Sequence, residues 1–410
     1  MKKVLIVDDD PSILAIASKR LQAEGIETLT AGDGAEGLRM VREHRPAVVV
    51  LDIMMPKVHG FTVLQEIRSD PALSQVRVVV TSAKGYAADR ERVQRLGADR
   101  FLQKPYDLQE FWETVAEFLG ESQGSFRVRF WGTRGSIATP GPATVKYGGN
   151  TACTEVRCGE QLLILDAGTG IRVLGVSLLK EFEERPIKGH IFVGHTHWDH
   201  IQGFPFFTPA FTEGNEFTIY SLRGAEKPLE KVFRGQMDSD YFPVLLTDMK
   251  AQLKFCELES DVELGEARIS YTFLNHPGLA VGFRIQYNGR SVTYLSDHET
   301  YGRVNPGGAR PNPMDLDIAR FAEGTDLLIS EAQYTEEEYE LKRGWGHSTF
   351  LDVLERAAQA RVKSLAIFHH DPSHDDEFLD GIQQFCEKTV EKRNYAFRCF
   401  LAREGMSLEL

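Results

Sequence analysis

Cysteine is scarce in this chain: five among 410 residues, odd in number and never spaced as CxxC. That usage fits a reducing compartment and argues against thiolate zinc sites. Long apolar runs are also missing, and no stretch approaches the length of a membrane-spanning helix. A basic surplus is absent as well. The net charge is −13, and residues 1–120 hold 16 basic and 18 acidic side chains, so nearly all of it falls on residues 121–410. Long RNA or DNA is therefore a poor substrate expectation, because phosphate contacts require a basic footprint. The start, Lys2-Lys3-Val4-Leu5-Ile6-Val7, is basic then apolar, but Asp8-Asp9-Asp10 follow at once, which favours a buried strand over a secretory signal. A cytoplasmic protein without membrane attachment is expected.

What is present begins with length, which implies two or three domains. Residues 1–120 alternate apolar runs (Val4–Val7, Glu27–Thr30, Val48–Leu51, Val76–Val80, Arg100–Leu102) with amphipathic stretches near Ser12–Glu24, Gly34–His44, Thr62–Arg68, Ala87–Leu96 and Leu108–Leu119. That alternation predicts a doubly wound, five-stranded parallel α/β sheet with its site at the strands' carboxyl ends. Those ends carry Asp8, Asp9, Asp52, Thr81 and Lys104. Three carboxylates beside a lysine and a hydroxyl suit a small hard cation such as Mg2+. One carboxylate can then accept a phosphoryl group.

These residues, in Val7-Asp8-Asp9, Leu51-Asp52-Ile53-Met54-Met55-Pro56, Thr81-Ser82-Ala83 and Lys104-Pro105, make residues 1–120 resemble a response-regulator receiver domain. The resemblance implies phosphorylation of Asp52, with Asp8, Asp9 and Asp52 holding Mg2+. It also implies phosphoryl contacts from Thr81 and Lys104, a switch aromatic at Phe101 and a cis Lys104–Pro105 bond. A sensor histidine kinase is the implied phosphoryl donor.

Residues 121–125 read as a short polar linker, and no helix-turn-helix pattern follows, so a DNA-binding output is not expected. Residues 126–410 form the second expected domain, and ten of the twelve histidines lie there. The densest feature is His195-Thr196-His197-Trp198-Asp199-His200, after the apolar run Ile191–Gly194. A strand reaching that point would place His195 and His197 on one face. Three histidines and an aspartate in six residues point to metal.

Further candidates end other apolar runs: His276 after Ile269–Leu274, Asp297 after Val292–Ser296, and His369 and His370 after Ser364–Phe368. Together they fit a binuclear centre. His195, His197 and His276 would hold one ion, Asp199, His200 and His369 the other, and Asp297 would bridge them. His369 is preferred to His370 because it directly follows the apolar run. Such ligands suit two divalent transition ions, Zn2+, Mn2+ or Fe2+. Asp166 reads as orienting a ligand, and His298 and His374 as structural or solvent-facing.

The same motif makes residues 126–410 resemble the metallo-β-lactamase superfamily, a four-layer αββα sandwich. Leu328-Ile329-Ser330-Glu331-Ala332 and Gly346-His347-Ser348-Thr349 resemble motifs of its tRNase Z-like phosphodiesterase branch. By that resemblance Asp199, His347 and Glu331 carry the chemistry, with His347 serving the leaving oxygen and Glu331 orienting it. No long tRNA-gripping arm is recognisable, so the expected substrate is a small, cyclic or nucleotide-like phosphodiester. The aromatic stretch Phe204–Phe211 is a candidate pocket wall, with core packing as the alternative, and Arg134, Lys146 and Asn150 are candidate phosphate contacts. Two other functions fit the same residues: lactone or thioester hydrolysis, and a non-catalytic ligand-sensing module. Phosphorylation at Asp52 is expected either to drive formation of a homodimer or to relieve occlusion of the metal pocket.

Overall fold

The computed structural model describes residues 3–55, 58–82, 92–119, 124–183, 185–222, 227–304 and 312–410. Met1, Lys2, Pro56, Ala83, the first half of the expected helix at Ala87–Leu96 and linker residues 121–123 lie outside the described residues. The chain divides into two compact units, Met1–Gln123 and Gly124–Leu410.

In the first unit the order is Glu27–Ala31, Lys3–Val7, Val48–Asp52, Arg77–Ser82, Arg100–Gln103, every neighbour parallel. Val48–Asp52 is buried along its whole length, as a central strand covered on both faces must be. Helix Pro11–Ala23 starts on a proline whose missing N–H costs nothing there, capped by Asp10. Helix Gly34–His44 is capped by Asp33 in the same way.

The second unit has two seven-stranded sheets among the described residues. The first runs Gln252–Glu257, Glu216–Ser221, Lys188–Phe192, Gln161–Leu165, Cys153–Cys158, Phe126–Gly132, Ser407–Glu409; the second runs Val262–Leu264, Ala267–Leu274, Ala280–Tyr287, Arg290–Leu295, Leu327–Glu331, Ser364–Phe368, Arg398–Leu401. Each sheet is parallel in one half and antiparallel in the other.

Alternation along the strands sends one set of side chains inward and the other outward. Val128, Phe130, Val156, Leu163, Phe192, Phe283, Tyr294, Ile329 and Phe368, drawn from both sheets, form the central apolar layer. The opposite face of the first sheet packs with Ile171, Leu174 and Leu178 of helix Gly170–Phe182. That of the second sheet packs with Val353, Leu354 and Ala357 of helix Phe350–Gln359 and Leu379 and Ile382 of helix Asp376–Lys392. Helices, sheet, sheet and helices thus make four layers.

The layering decides where chemistry collects. Strands Gln161–Leu165, Lys188–Phe192, Ala267–Leu274, Arg290–Leu295, Leu327–Glu331 and Ser364–Phe368 end at Asp166, the His195 segment, His276, Asp297, Glu331 and His369 respectively. No helix among the described residues is long and apolar enough to cross a membrane.

Candidate metal centre and phosphoryl site

In the receiver unit, Lys104 Nζ donates to Asp8 Oδ2 at 2.6 Å and to Asp52 Oδ2 at 2.8 Å. Asp8, Asp9 and Asp52 offer oxygens close enough for one cation. Thr81 is buried and sits opposite Asp52 in the sheet register. Burial opposes ionisation of Asp8 and raises its pKa, against the pull of Lys104. Burial also works against the Lys104 charge, but its bonds to Asp52 and Asp8 outweigh that and raise its pKa. The Lys104–Pro105 peptide is cis, and Phe101 is half-buried beside the strand core.

The His195 segment departs from the strand expectation. Its strand stops at Phe192, and a one-turn helix, Trp198–Ile201, begins directly after His197. His195 and His197 are therefore placed by a loop, not by strand alternation, while the helical turn presents Asp199 and His200. The outcome still gathers them. His195, His197 and His276 form one group of converging ligand atoms, and Asp199, His200, Asp297 and His369 form a second.

Asp297 faces both groups. Its Oδ2 lies 3.5 Å from His195 Nε2 and 3.8 Å from His276 Nε2, while Oδ1 lies 3.3 Å from His200 Nε2 and 3.2 Å from His369 Nε2. Asp199 Oδ2 sits 3.1 Å from His369 Nε2 and accepts the Ser136 N–H at 2.7 Å. His370 turns away, its Nε2 bonded to the Ala402 carbonyl at 2.9 Å.

The ligands are held from behind. His200 Nδ1 contacts Asp166 Oδ2 at 2.7 Å, and the same carboxylate accepts from Gly194 N and Tyr294 Oη. His276 Nδ1 contacts the Gly346 carbonyl at 2.9 Å, and His369 Nδ1 the Gln333 amide at 2.9 Å. Each contact fixes the ring so that its other nitrogen faces inward. Glycine makes the close approaches: a Cβ at Gly135 would lie 2.4 Å from His369 Nδ1, and one at Gly346 2.2 Å from His276 Nδ1.

The donor set fits metal. Both ring nitrogens of His195 and Oδ1 of Asp297 are buried without a hydrogen-bond partner, a costly condition that bound cations relieve. Burial pushes His195 well below the usual histidine range and His276 down to about 4, leaving the neutral imidazoles that bind metal. Burial opposes the Asp297 charge, yet His369, His200 and His195 outweigh it and hold the carboxyl well below the usual range.

Beside this cluster, His347 Nδ1 lies 3.5 Å from Glu331 Oε2 and 4.0 Å from Asp297 Oδ2. Its ring stacks on His369 with centroids 5.4 Å apart. Glu331 is fully buried, and its Oε1 accepts the Ser348 N–H at 2.8 Å. Burial raises the Glu331 pKa; burial works against a charged His347, but the Glu331 contact outweighs it.

The three candidate phosphate contacts are engaged elsewhere. Arg134 is wholly buried, donating to the carbonyls of Gly148, Asp371 and His374. Lys146 is bound to Asp380 and Asn150 to Glu404. None of the three is free for a phosphate, because each ties a loop to the C-terminal segment. Phe204 and Phe207 are core residues, and Phe206, though exposed, packs edge-on against Phe242. His298 is buried with Nδ1 accepting the Asn275 N–H, and His374 contacts Glu338. The Ser136 N–H, Gln333, Tyr294 and Glu299, which orders the loop before His347, had no short motif to mark them.

Comparison with known proteins agrees with this architecture. The family "Response regulator receiver domain" matches residues 4–116, and "Beta-lactamase superfamily domain" matches residues 162–370. The probable transcriptional regulator ycf27 of Guillardia theta is 46% identical over 118 residues, 29% of this chain and 45% of that protein. The polar-differentiation response regulator DivK of Brucella anthropi is 31% identical over 121 residues, 30% of this chain and 98% of that protein. The chain spans about half the length of the first curated relatives it matches. Among solved structures, the metallo-beta-lactamase fold protein YhfI of Bacillus subtilis is 18% identical with a TM-score of 0.50, covering 70% of this chain and 100% of that one, a likeness of fold. With two sheets stacked between helices and ligands at their shared rim, the chain belongs to the β-lactamase superfamily, joined to a response-regulator receiver domain.

Proposed function

We propose that this protein is a receiver-controlled, metal-dependent phosphodiesterase acting on a small phosphodiester, such as a cyclic nucleotide. The observation that carries this reading is the His347–Glu331 pair set against the metal-ligand cluster, with Asp297 between them.

His195, His197 and His276 would hold one divalent ion, and Asp199, His200 and His369 the other, with Asp297 shared. When bound, such a pair supplies a nucleophile from water near neutral pH and neutralises charge on the phosphoryl oxygens. The chain's own side chains do the rest. His347 donates a proton to the departing ester oxygen, which would otherwise leave as a poor, charged group. Glu331 keeps that imidazole oriented, and its burial excludes competing water. Asp166, Gly346 and Gln333 prevent the ligand rings from turning. In the receiver unit, Asp52 takes the phosphoryl group from a histidine kinase, with Lys104 neutralising charge, and this modification shifts the activity of the hydrolase unit.

The test is turnover of a panel of phosphodiesters, lactones and thioesters by Zn2+- or Mn2+-loaded protein, before and after phosphorylation of Asp52. Hydrolysis confined to phosphodiesters and altered by phosphorylation is expected. Hydrolysis of lactones or thioesters alone, or none by fully metallated protein, refutes the reading.

A further inference from the structure

Most large apolar side chains of the second unit are buried, yet two of its tryptophans are not. Trp198 is 80% exposed and Trp345 is 62% exposed, whereas the chain's other two, Trp112 and Trp131, are almost wholly covered. Both exposed rings belong to residues adjoining the same ligand. Trp198 follows His197, whose Nδ1 lies 3.1 Å from His276 Nε2. Trp345 precedes Gly346, whose carbonyl holds His276 Nδ1. Ile137 and Leu279 are exposed as well, the first next to Ser136, whose N–H binds Asp199, and the second three residues beyond His276.

The loop carrying Trp345 is not slack. The buried carboxylate of Glu299 accepts the N–H of Gly344 at 2.7 Å and of Gly346 at 2.9 Å, one on each side of Trp345, and the Tyr339 hydroxyl at 2.6 Å. Burying a carboxylate is costly unless it is fully bonded, and what this one secures is a loop that leaves an indole in solvent. Such an arrangement suits stacking, where a rigid flat surface loses little entropy on binding.

The contacts of four cations among the described residues point the same way. Arg134, Lys146, Lys342 and Arg343 are committed to backbone carbonyls, Asp380, Asp371 and Glu340. A polynucleotide would require free cations along its backbone, whereas a small substrate needs only the metal cluster for its phosphate and a flat surface for the remainder.

We infer that Trp198 and Trp345 form a stacking subsite for the base of a nucleotide whose phosphodiester sits at the metal centre. This assignment rests on the phosphodiesterase reading and names its substrate class. It makes the two indoles determinants of specificity, not of bond cleavage.

The test uses the full chain loaded with Zn2+ and two probes with the same phosphate, adenosine monophosphate and ribose phosphate. Calorimetric affinity and tryptophan emission are measured for wild type, Trp198→Ala, Trp345→Ala, the double variant and Trp345→Phe. The wild type should prefer the adenosine probe by about tenfold or more for each stacked ring, and its binding should quench emission. The preference should disappear in the double variant, with metal content unchanged, and persist in Trp345→Phe. Equal affinity for the two probes, or a preference untouched by the double substitution, overturns the subsite. Turnover of a nucleoside cyclic phosphate against glycerol cyclic phosphate separates the two readings. Loss of the nucleoside advantage in the double variant alone supports the subsite, and equal turnover of both by wild type overturns it while leaving phosphodiester hydrolysis intact. An inert protein that keeps its indole-dependent preference supports the subsite and refutes the hydrolysis.

Discussion

The Gly346 carbonyl lies 2.9 Å from Nδ1 of His276, and a residue with a side chain could not occupy Gly346 without moving that ring. Gly346 has φ +93, a region that disfavours L side chains, and a Cβ there would stand 2.2 Å from the imidazole nitrogen. Gly346→Ala should therefore lose the ion held by His195, His197 and His276 while keeping the other. Elemental analysis of purified protein checks this, and a full complement of metal in the variant would contradict it.

Asp166 stands behind His200, a proposed ligand of the second ion. Asp166→Asn leaves the shape nearly unchanged but removes the charge behind His200 Nδ1. Metal affinity should fall by about 10–100-fold, as for other ligand-orienting carboxylates. Competition with a chromogenic chelator measures it; an unchanged affinity would show that Asp166 serves only the fold.

His347→Ala should cut phosphodiester turnover by roughly 10²–10⁴-fold, the range for loss of a general acid, without lowering metal content. The deficit should shrink for substrates whose leaving group is already a weak base, such as a nitrophenolate. Glu331→Gln should give a milder loss in the same direction. A uniform deficit across leaving groups would refute proton donation by His347.

Asp52→Asn should abolish phosphorylation by a small-molecule phosphodonor in Mg2+, read as loss of the shifted band on a phosphate-affinity gel. Lys104→Ala should keep the acceptor but slow the reaction, because the charge contact at 2.8 Å is lost. Undiminished labelling of Asp52→Asn would move the acceptor elsewhere.

Stability should depend on acid through Asp326, far in sequence from the metal ligands. Burial opposes its charge, but the Lys363 ammonium at 2.7 Å and the Ser291 N–H at 2.8 Å outweigh that and hold its pKa below the ordinary 3.8. A carboxyl with a depressed folded pKa stabilises the fold above its unfolded value and ceases to do so as pH falls through the folded one. Asp326→Asn should thus cost about 1 kcal/mol at neutral pH, most of it from the buried Ser291 bond since Lys363 is largely exposed. The gap from wild type should close below the ordinary carboxyl pKa. Urea midpoints at the two acidities test it, and a constant gap would point to packing instead of charge.

The receiver unit was legible because its signals are local. Apolar runs of strand length alternate with capped helices, and the polar residues that matter stand at the ends of those runs. Helix boundaries such as Gly34–His44 and Leu108–Leu119 follow from the same punctuation. In the second unit, His195, His276, Asp297 and His369 were visible for the same reason. What escaped notice acts through the backbone or across long separations. The Ser136 N–H on Asp199, the Gly346 carbonyl on His276 and the Glu299 clamp have no residue-type signature. Arg134 misled because a guanidinium invites a phosphate, yet here its bonds are spent on three carbonyls of distant loops. For Phe204 and Phe207 pocket wall and core packing both stood open, because an aromatic run does not reveal which rings turn inward.

The ligands come from the rims of two different sheets, with His200 following a strand of one and Asp297 following a strand of the other. A nascent chain with one sheet assembled therefore has fragments of a chelator but no cage. The first sheet's rim alone brings His195, His197, Asp199 and His200, and each group of ligand atoms is completed only by His276, Asp297 and His369 from the second.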